Sequence, residues 1–167
     1  GTVTGTPTAA GNSTATFTVR DSTGQTATGS VLFAVHPRTD RMSVDNSGTT
    51  GNGASSTPSL SGDGSLVAFV SQATNLVAGV SGSQIYVQNR QTNQAEVVSR
   101  DSNASVIQGN GVSSDPAMSA DGRFVTFVSQ STNLVPGVSG QQVYLRDRQI
   151  GKTTLVSSSS SGVISNG

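Results

Sequence analysis

The chain has 167 residues, 32% of them hydrophobic and 4% aromatic, with nine basic and nine acidic side chains and no net charge. That balance lacks the clustered Lys and Arg that a nucleic-acid surface needs, and the absence of cysteine excludes disulfides, thiolate catalysis and Cys-ligated metals. No apolar run is long enough for a membrane-spanning helix, and no polybasic segment marks a membrane surface.

Charged residues are only 11% of the chain, so the low hydrophobic content is not that of a highly charged disordered protein. Ser, Thr, Gly, Asn and Gln fill the remainder. That mixture suits short strands joined by many turns, an all-β chain. A Ser/Thr/Asn-rich, Lys-poor β protein points to an extracellular or cell-surface location. The chain opens at Gly1, without a signal peptide, and reads as a processed protein or a segment of a larger one.

Residues 1–37 form the first region. In "STATFTVRD", Ala15, Phe17 and Val19 alternate with Thr16, Thr18 and Arg20. "DSTGQTA" supplies a turn, and "GSVLFAV" then sets Val31, Phe33 and Val35 on one face. Period-two patterning around an Asp/Gly turn predicts an antiparallel hairpin with one apolar face. Pro37 ends it. A hairpin alone is marginal in water, so this face calls for a second sheet. With "GTPTAAG" before it and the "FTV.D..G.TA" strand pair, the stretch resembles the C-terminal half of a bacterial immunoglobulin-like, cadherin-like domain. The front half of such a sandwich is not in these residues.

Residues 38–167 contain a long phrase twice. "DGSLVAFVSQATNLVAGVSGSQIYVQNR" starts at Asp63 and returns, fifty-eight residues on, as "DGRFVTFVSQSTNLVPGVSGQQVYLRDR" from Asp121. "SSTPSLSGDG" returns as "SSDPAMSADG", and a Gly-rich segment occurs three times, ending "GNG" at 51–53, "GNG" at 109–111 and "SNG" at 165–167. The spacing predicts a preceding strand at 38–45 and two units at about 54–111 and 112–167. Each unit divides into four strands: Pro58 to Ser61, Leu66–Ser71, Ile85–Gln88 and Glu96–Ser99 in the first, and Pro116 to Ser119, Phe124–Ser129, Val143–Arg146 and Thr154–Ser157 in the second.

In "LVAFV", both alternating faces are apolar, as are those of "IYV" and "VYL". A half-exposed sheet would alternate apolar with polar. A sheet apolar on both sides needs a neighbour on each, and tandem four-stranded units stacked face to face supply it. The pattern "P.(I/L/M)S.DGR.VAFVS..TNLVPG......VYVRDR.TG.T..VS" resembles the TolB-like β-propeller repeats of bacterial secreted and surface proteins, over residues from about Arg41 to the end. The resemblance implies two propeller-type blades of four antiparallel strands. Closed propellers need four to eight. Two blades alone would bare about five apolar side chains on each outer face, at roughly 1.5–3 kcal/mol each. The total, on the order of 10 kcal/mol, rivals the stability of a whole domain.

The expected reading is therefore a non-enzymatic structural or interaction module of a surface assembly or filament. Its partners would be copies of itself or further blades of a longer chain. The alternatives are a blade segment of a secreted propeller binding a glycan or peptide, and an accessory propeller of a hydrolase whose catalytic residues lie elsewhere.

Few residues invite chemistry, and no catalytic, cofactor or metal residue is expected. His36, the only histidine, reads as plain linker structure. No "GxSxG" elbow is present. Asp63-Gly64 and Asp121-Gly122 read as hairpin turns rather than a cation site. Where the resembled repeats carry acids, this chain has Val80 and Val138, Gln84 and Gln142, which implies that any cation ligands there are lost. Tyr86 and Tyr144 read as core rather than a sugar platform. Asn75, Leu76 and Val77, like Asn133, Leu134 and Val135, read as a loop tucked over the unit's end. Asn12 and Asn103 open Asn-x-Ser/Thr triplets, common by chance in so Ser/Thr-rich a chain.

Overall fold

The computed structural model describes residues 11–35, 39–103, 107–160 and 162–164. His36 lies outside them, as does the side chain of Asn12. The described residues are all-β, with ten strands in antiparallel sheets of two, four and four. The chain divides into two compact units, Gly1–Asp40 and Arg41–Gly167.

In the first unit, β1 (Gly11–Arg20) pairs with β2 (Thr26–Val35), with Phe17 opposite Gly29 and Ala15 opposite Val31. The turn is set by Asp21, whose Oδ1 accepts from the Thr23 and Gln25 amides at 2.8 and 2.9 Å and from the Thr23 hydroxyl at 2.7 Å. Gly24 follows at φ +89°, a conformation that costs glycine little. Phe17, Val19 and Val31 are exposed on the hairpin's apolar face.

In the second unit, β3 (Ser55–Leu60), β4 (Leu66–Ser71), β5 (Gln84–Asn89) and β6 (Ala95–Val97) form one sheet in chain order. β7 (Ser113–Met118), β8 (Phe124–Ser129), β9 (Gln142–Asp147) and β10 (Lys152–Leu155) form the other. β4 and β8 have the bounds that the sequence pattern predicts. β3 and β7 begin three residues early and contain Pro58 and Pro116. Each is an edge strand with a register shift at that point, where Thr57 and Asp115 have φ of +47° and +53°. Proline is tolerated there because an edge strand at a bulge has no ladder bond to lose. β10 also starts two residues early. Of the strand predicted at 38–45, residues 39–45 are described and form none. Residues 41–53 make a loop closed by one bridge, Val44 to Thr50, since no strand among the described residues lies beside it.

The two sheets share one core. Ala68, Ile85, Val87 and Val98 from one face of the first sheet cluster with Val125, Phe127 and Tyr144 of the second, together with Leu134 and Val138 from the loop after β8. Backbone joins them too. The Gly62 amide donates to the Ala120 carbonyl at 2.7 Å, and the Ser113 amide to the Ser83 carbonyl at 2.9 Å. The Met118 amide donates to the Ser59 hydroxyl at 3.0 Å, and Arg148 pairs with Glu96.

The other face of the first sheet is not bare, contrary to expectation. Val67, Phe69, Tyr86 and Val97 are covered by Ala73, Leu76 and Val80 of the following loop, with Met42 packed alongside. The loop folds back because its apolar residues have this face to bury against, so the unit covers much of its own outer surface.

Candidate interaction surface

The repeat supplies an internal reference, because each residue of the first sheet has an equivalent fifty-eight residues later. The face of the first sheet that meets the second will be called its back, and the face it meets on the second sheet a front. Ile85, Val87 and Val98 on the covered back are at most 1% exposed. On the uncovered back of the second sheet, Val143 is 36% and Val156 49% exposed, and Thr126, Val128 and Leu145 are half-buried. Phe124 on this face lies under the Arg123 guanidinium, 4.7 Å from its ring centre, and Arg123 is fixed by Asp147 at 2.7 Å.

The fronts differ in the same way. On the covered front, Ser113 is fully buried and Met118 packs against the core. On the uncovered front of the first sheet, Ser55 is exposed and Leu60 is 59% exposed. There Met42, Ser43, Ser55, Pro58, Val67 and Phe69 line an apolar groove.

A polar latch, buried in the first sheet, marks where the outer strand of each sheet ends. The Ser99 hydroxyl donates to Gln84 Oε1 at 2.7 Å and accepts from the Ile85 amide at 2.9 Å. Ser157 does the same in the second sheet, with Gln142 Oε1 and the Val143 amide at 3.0 Å. Gln84 also donates to the Gly109 carbonyl at 2.9 Å. Ser43 is the third serine of this series. Among the described residues its hydroxyl has no such glutamine, and it faces the groove.

A clamp holds each "GNG" segment to the sheet that follows it. Asn52 donates its amide to Asn75 Oδ1 and its side chain to the Thr74 hydroxyl, each at 2.9 Å. Asn110, Asn133 and Thr132 repeat those distances. The residues singled out as a tucked loop thus split in role: Leu76 and Leu134 are buried, while Asn75 and Asn133 are clamps.

Tyr86 and Tyr144 are sealed in the core. They stack on Phe69 and Phe127, donate to the carbonyls of Ala73 and Ser131 at 3.2 Å, and are no sugar platform. Burial pushes the Tyr86 hydroxyl up to about 12. Asp63 and Asp121 are turn residues. Asp63 Oδ1 accepts from the Ser65 amide and from the Ser61 and Ser65 hydroxyls, which holds its carboxyl down at about 2. Val80 and Val138 are core, and Gln84 and Gln142 are buried latch residues. The Asn103 side chain donates to Asp101 Oδ2 at 2.6 Å. Among the described residues no three His, Asp or Glu side chains gather as metal ligands would.

Sequence reasoning missed the latch, the clamp and the buried pair Gln88 and Arg146. Their signal was present, since Ser, Gln, Asn and Thr recur at fixed places in both units, but recurrence alone does not say which polar residues meet. The chain matches no known family model and no curated protein.

Proposed function

We propose that this chain is a non-enzymatic structural module of an extracellular or cell-surface assembly, built from TolB-like propeller-type blades and working by stacking its sheets against further sheets of its own kind. One observation carries the reading. Positions at most 1% exposed where a second sheet covers them, Ile85 and Val98, are 36% and 49% exposed at their equivalents, Val143 and Val156, where none does. An apolar side chain gains roughly 1.5–3 kcal/mol on full burial, so the uncovered positions retain a drive to associate. The composition, poor in Lys and rich in Ser and Thr, supports the location. The hairpin of the first unit, with Phe17 and Val19 exposed, fits a partial immunoglobulin-like module that also awaits a sheet.

Sedimentation velocity over a hundred-fold range of concentration, with negative-stain imaging of the same samples, tests the reading. Concentration-dependent oligomers, rings or fibres are expected. A monomer at every concentration, combined with saturable binding on a glycan or peptide array, would replace it with a ligand-binding module.

A further inference from the structure

We propose that the chain associates head to tail, the exposed β8–β9 face of one copy seating on the groove of the next copy's first sheet, where Ser43 takes the Gln142 latch. This rests on the stacking reading above and specifies the partner as a second copy, joined by unlike faces.

The internal interface is the template. There the back of one sheet meets the front of another, and the outgoing Ser99 sits in the latch of the sheet it leaves. Both halves of that arrangement recur on this chain without a second sheet over them. Val128, Val143 and Leu145 repeat Val70, Ile85 and Val87 of the covered back. Ser55, Leu60, Val67 and Phe69 repeat Ser113, Met118, Val125 and Phe127 of the covered front. Two backbone bonds across the internal interface, Gly62 N–H to the Ala120 carbonyl and Ser113 N–H to the Ser83 carbonyl, use groups that any residue supplies. Their equivalents between copies would be Ala120 N–H to the next copy's Gly62 carbonyl, and the next copy's Ser55 N–H to the Gln141 carbonyl.

Ser43 gives the arrangement its direction. In both sheets this serine bonds a glutamine at the start of the third strand. Ser43 has the position without the glutamine, and the matching glutamine on the face to be covered is Gln142. In the lone chain Gln142 is held by Ser157. Met42–Ser43 of one copy and Val156–Ser157 of the other are the same element of the repeat, so only one pair fits at a junction. In the proposed junction the next copy's Ser43 displaces Ser157 from Gln142, and Val156, already 49% exposed, gives way with it.

Two substitutions at exposed positions, each in the full chain, test the geometry: Leu60→Lys blocks the front of the first sheet and Val143→Glu blocks the back of the second. Circular dichroism checks folding, and Thr126→Arg repeats the second block should Val143→Glu unfold. Each variant alone is expected to associate about a hundred-fold more weakly than the parent chain, because a charge would be buried unpaired. An equimolar mixture should form a one-to-one dimer and nothing larger, joined through the two unblocked faces. Ser43→Ala should weaken association about five-fold, the effect of one hydrogen bond. If the parent chain associates but each blocked variant still pairs with itself, or the mixture does not dimerise, the head-to-tail geometry is overturned and the stacking reading survives. A parent chain that never associates overturns both.

Discussion

Gln88 and Arg146 occupy the same position of the repeat, both sealed from solvent, yet among the described residues only the Arg146 side chain has hydrogen-bond partners. Its Nη1 donates to the Asp101 carbonyl at 2.8 Å and the Thr153 hydroxyl at 3.0 Å. Ala95 stands where the second sheet has Thr153, so one of those acceptors is missing around Gln88. Burial lowers the Arg146 guanidinium to about 10.

The two positions should therefore respond to the same change with opposite sign. Gln88→Met removes a buried amide without partners and keeps its length, and is expected to stabilise by about 1–2 kcal/mol. Arg146→Met strands the Asp101 carbonyl and should cost about 1–3 kcal/mol. Urea unfolding of both variants against the parent chain decides it. A destabilised Gln88→Met would mean that the amide is bonded in solution, by water for instance.

Much of this architecture was legible in the sequence because the signals were periodic. The two-faced apolar pattern of Leu66–Ser71 and Phe124–Ser129 gave both inner strands their bounds, and the repeated phrase gave two sheets. The start of β3 was hidden because Pro58 argues against a strand, and only the bulge at Thr57 accommodates it. The covering of Val67 and Phe69 was hidden for another reason. Leu76 reads as tucked over the unit's end, but it and Val80 stand in a loop with no period, and nothing local says which face of the sheet they cover. The latch was invisible because a serine and a glutamine fifteen residues apart carry no mutual signal until β5 and the end of β6 lie side by side.

The last glycine of "GNG" should be the least replaceable. A Cβ on Gly111 would stand 2.7 Å from the Gln130 carbonyl carbon and 2.8 Å from the Ser131 nitrogen, and backbone cannot swing aside as a side chain can. Gly111→Ala should cost about 2–3 kcal/mol by forcing the Asn110 clamp off its loop. Gly137 has φ +76° and open space around it, so Gly137→Ala should cost only about 1 kcal/mol for the strained backbone. Thermal unfolding of the two variants reads the difference. Equal losses would show that the segment yields more easily than its contacts imply.

Stability should fall in acid. Asp63 is held at about 2 by the Ser65 amide and the Ser61 and Ser65 hydroxyls, against a usual value near 3.8. Hydrogen bonds from Ser119 and Ser47 lower Asp121 and Asp45, and the Arg123 guanidinium lowers Asp147. A carboxyl depressed on folding stabilises the fold fully above its unfolded value and loses that contribution as pH falls through its folded value. The midpoint of thermal unfolding should thus be level above about pH 5 and decline from about pH 4 toward pH 2. Asp63→Asn keeps a turn acceptor that does not titrate, and should shallow the decline without removing it. An identical acid profile in the variant would sink the assignment.

Ile85 and Val143 give the most direct measure of what a covering sheet contributes. They are equivalent β-branched residues at the same register, Ile85 opposite Val70 and Val143 opposite Val128, in sheets of the same strand order. Ile85 is fully buried and Val143 is 36% exposed. Ile85→Ala deletes buried carbons inside the shared core and should cost about 2–4 kcal/mol. Val143→Ala removes carbons already near water and should cost less than about 1 kcal/mol in dilute solution. The second cost should grow with protein concentration, because association buries Val143 and couples its side chain to stability by mass action. Unfolding midpoints for both variants at low and high concentration would check this. A Val143→Ala cost unchanged by concentration would mean that nothing docks on this face.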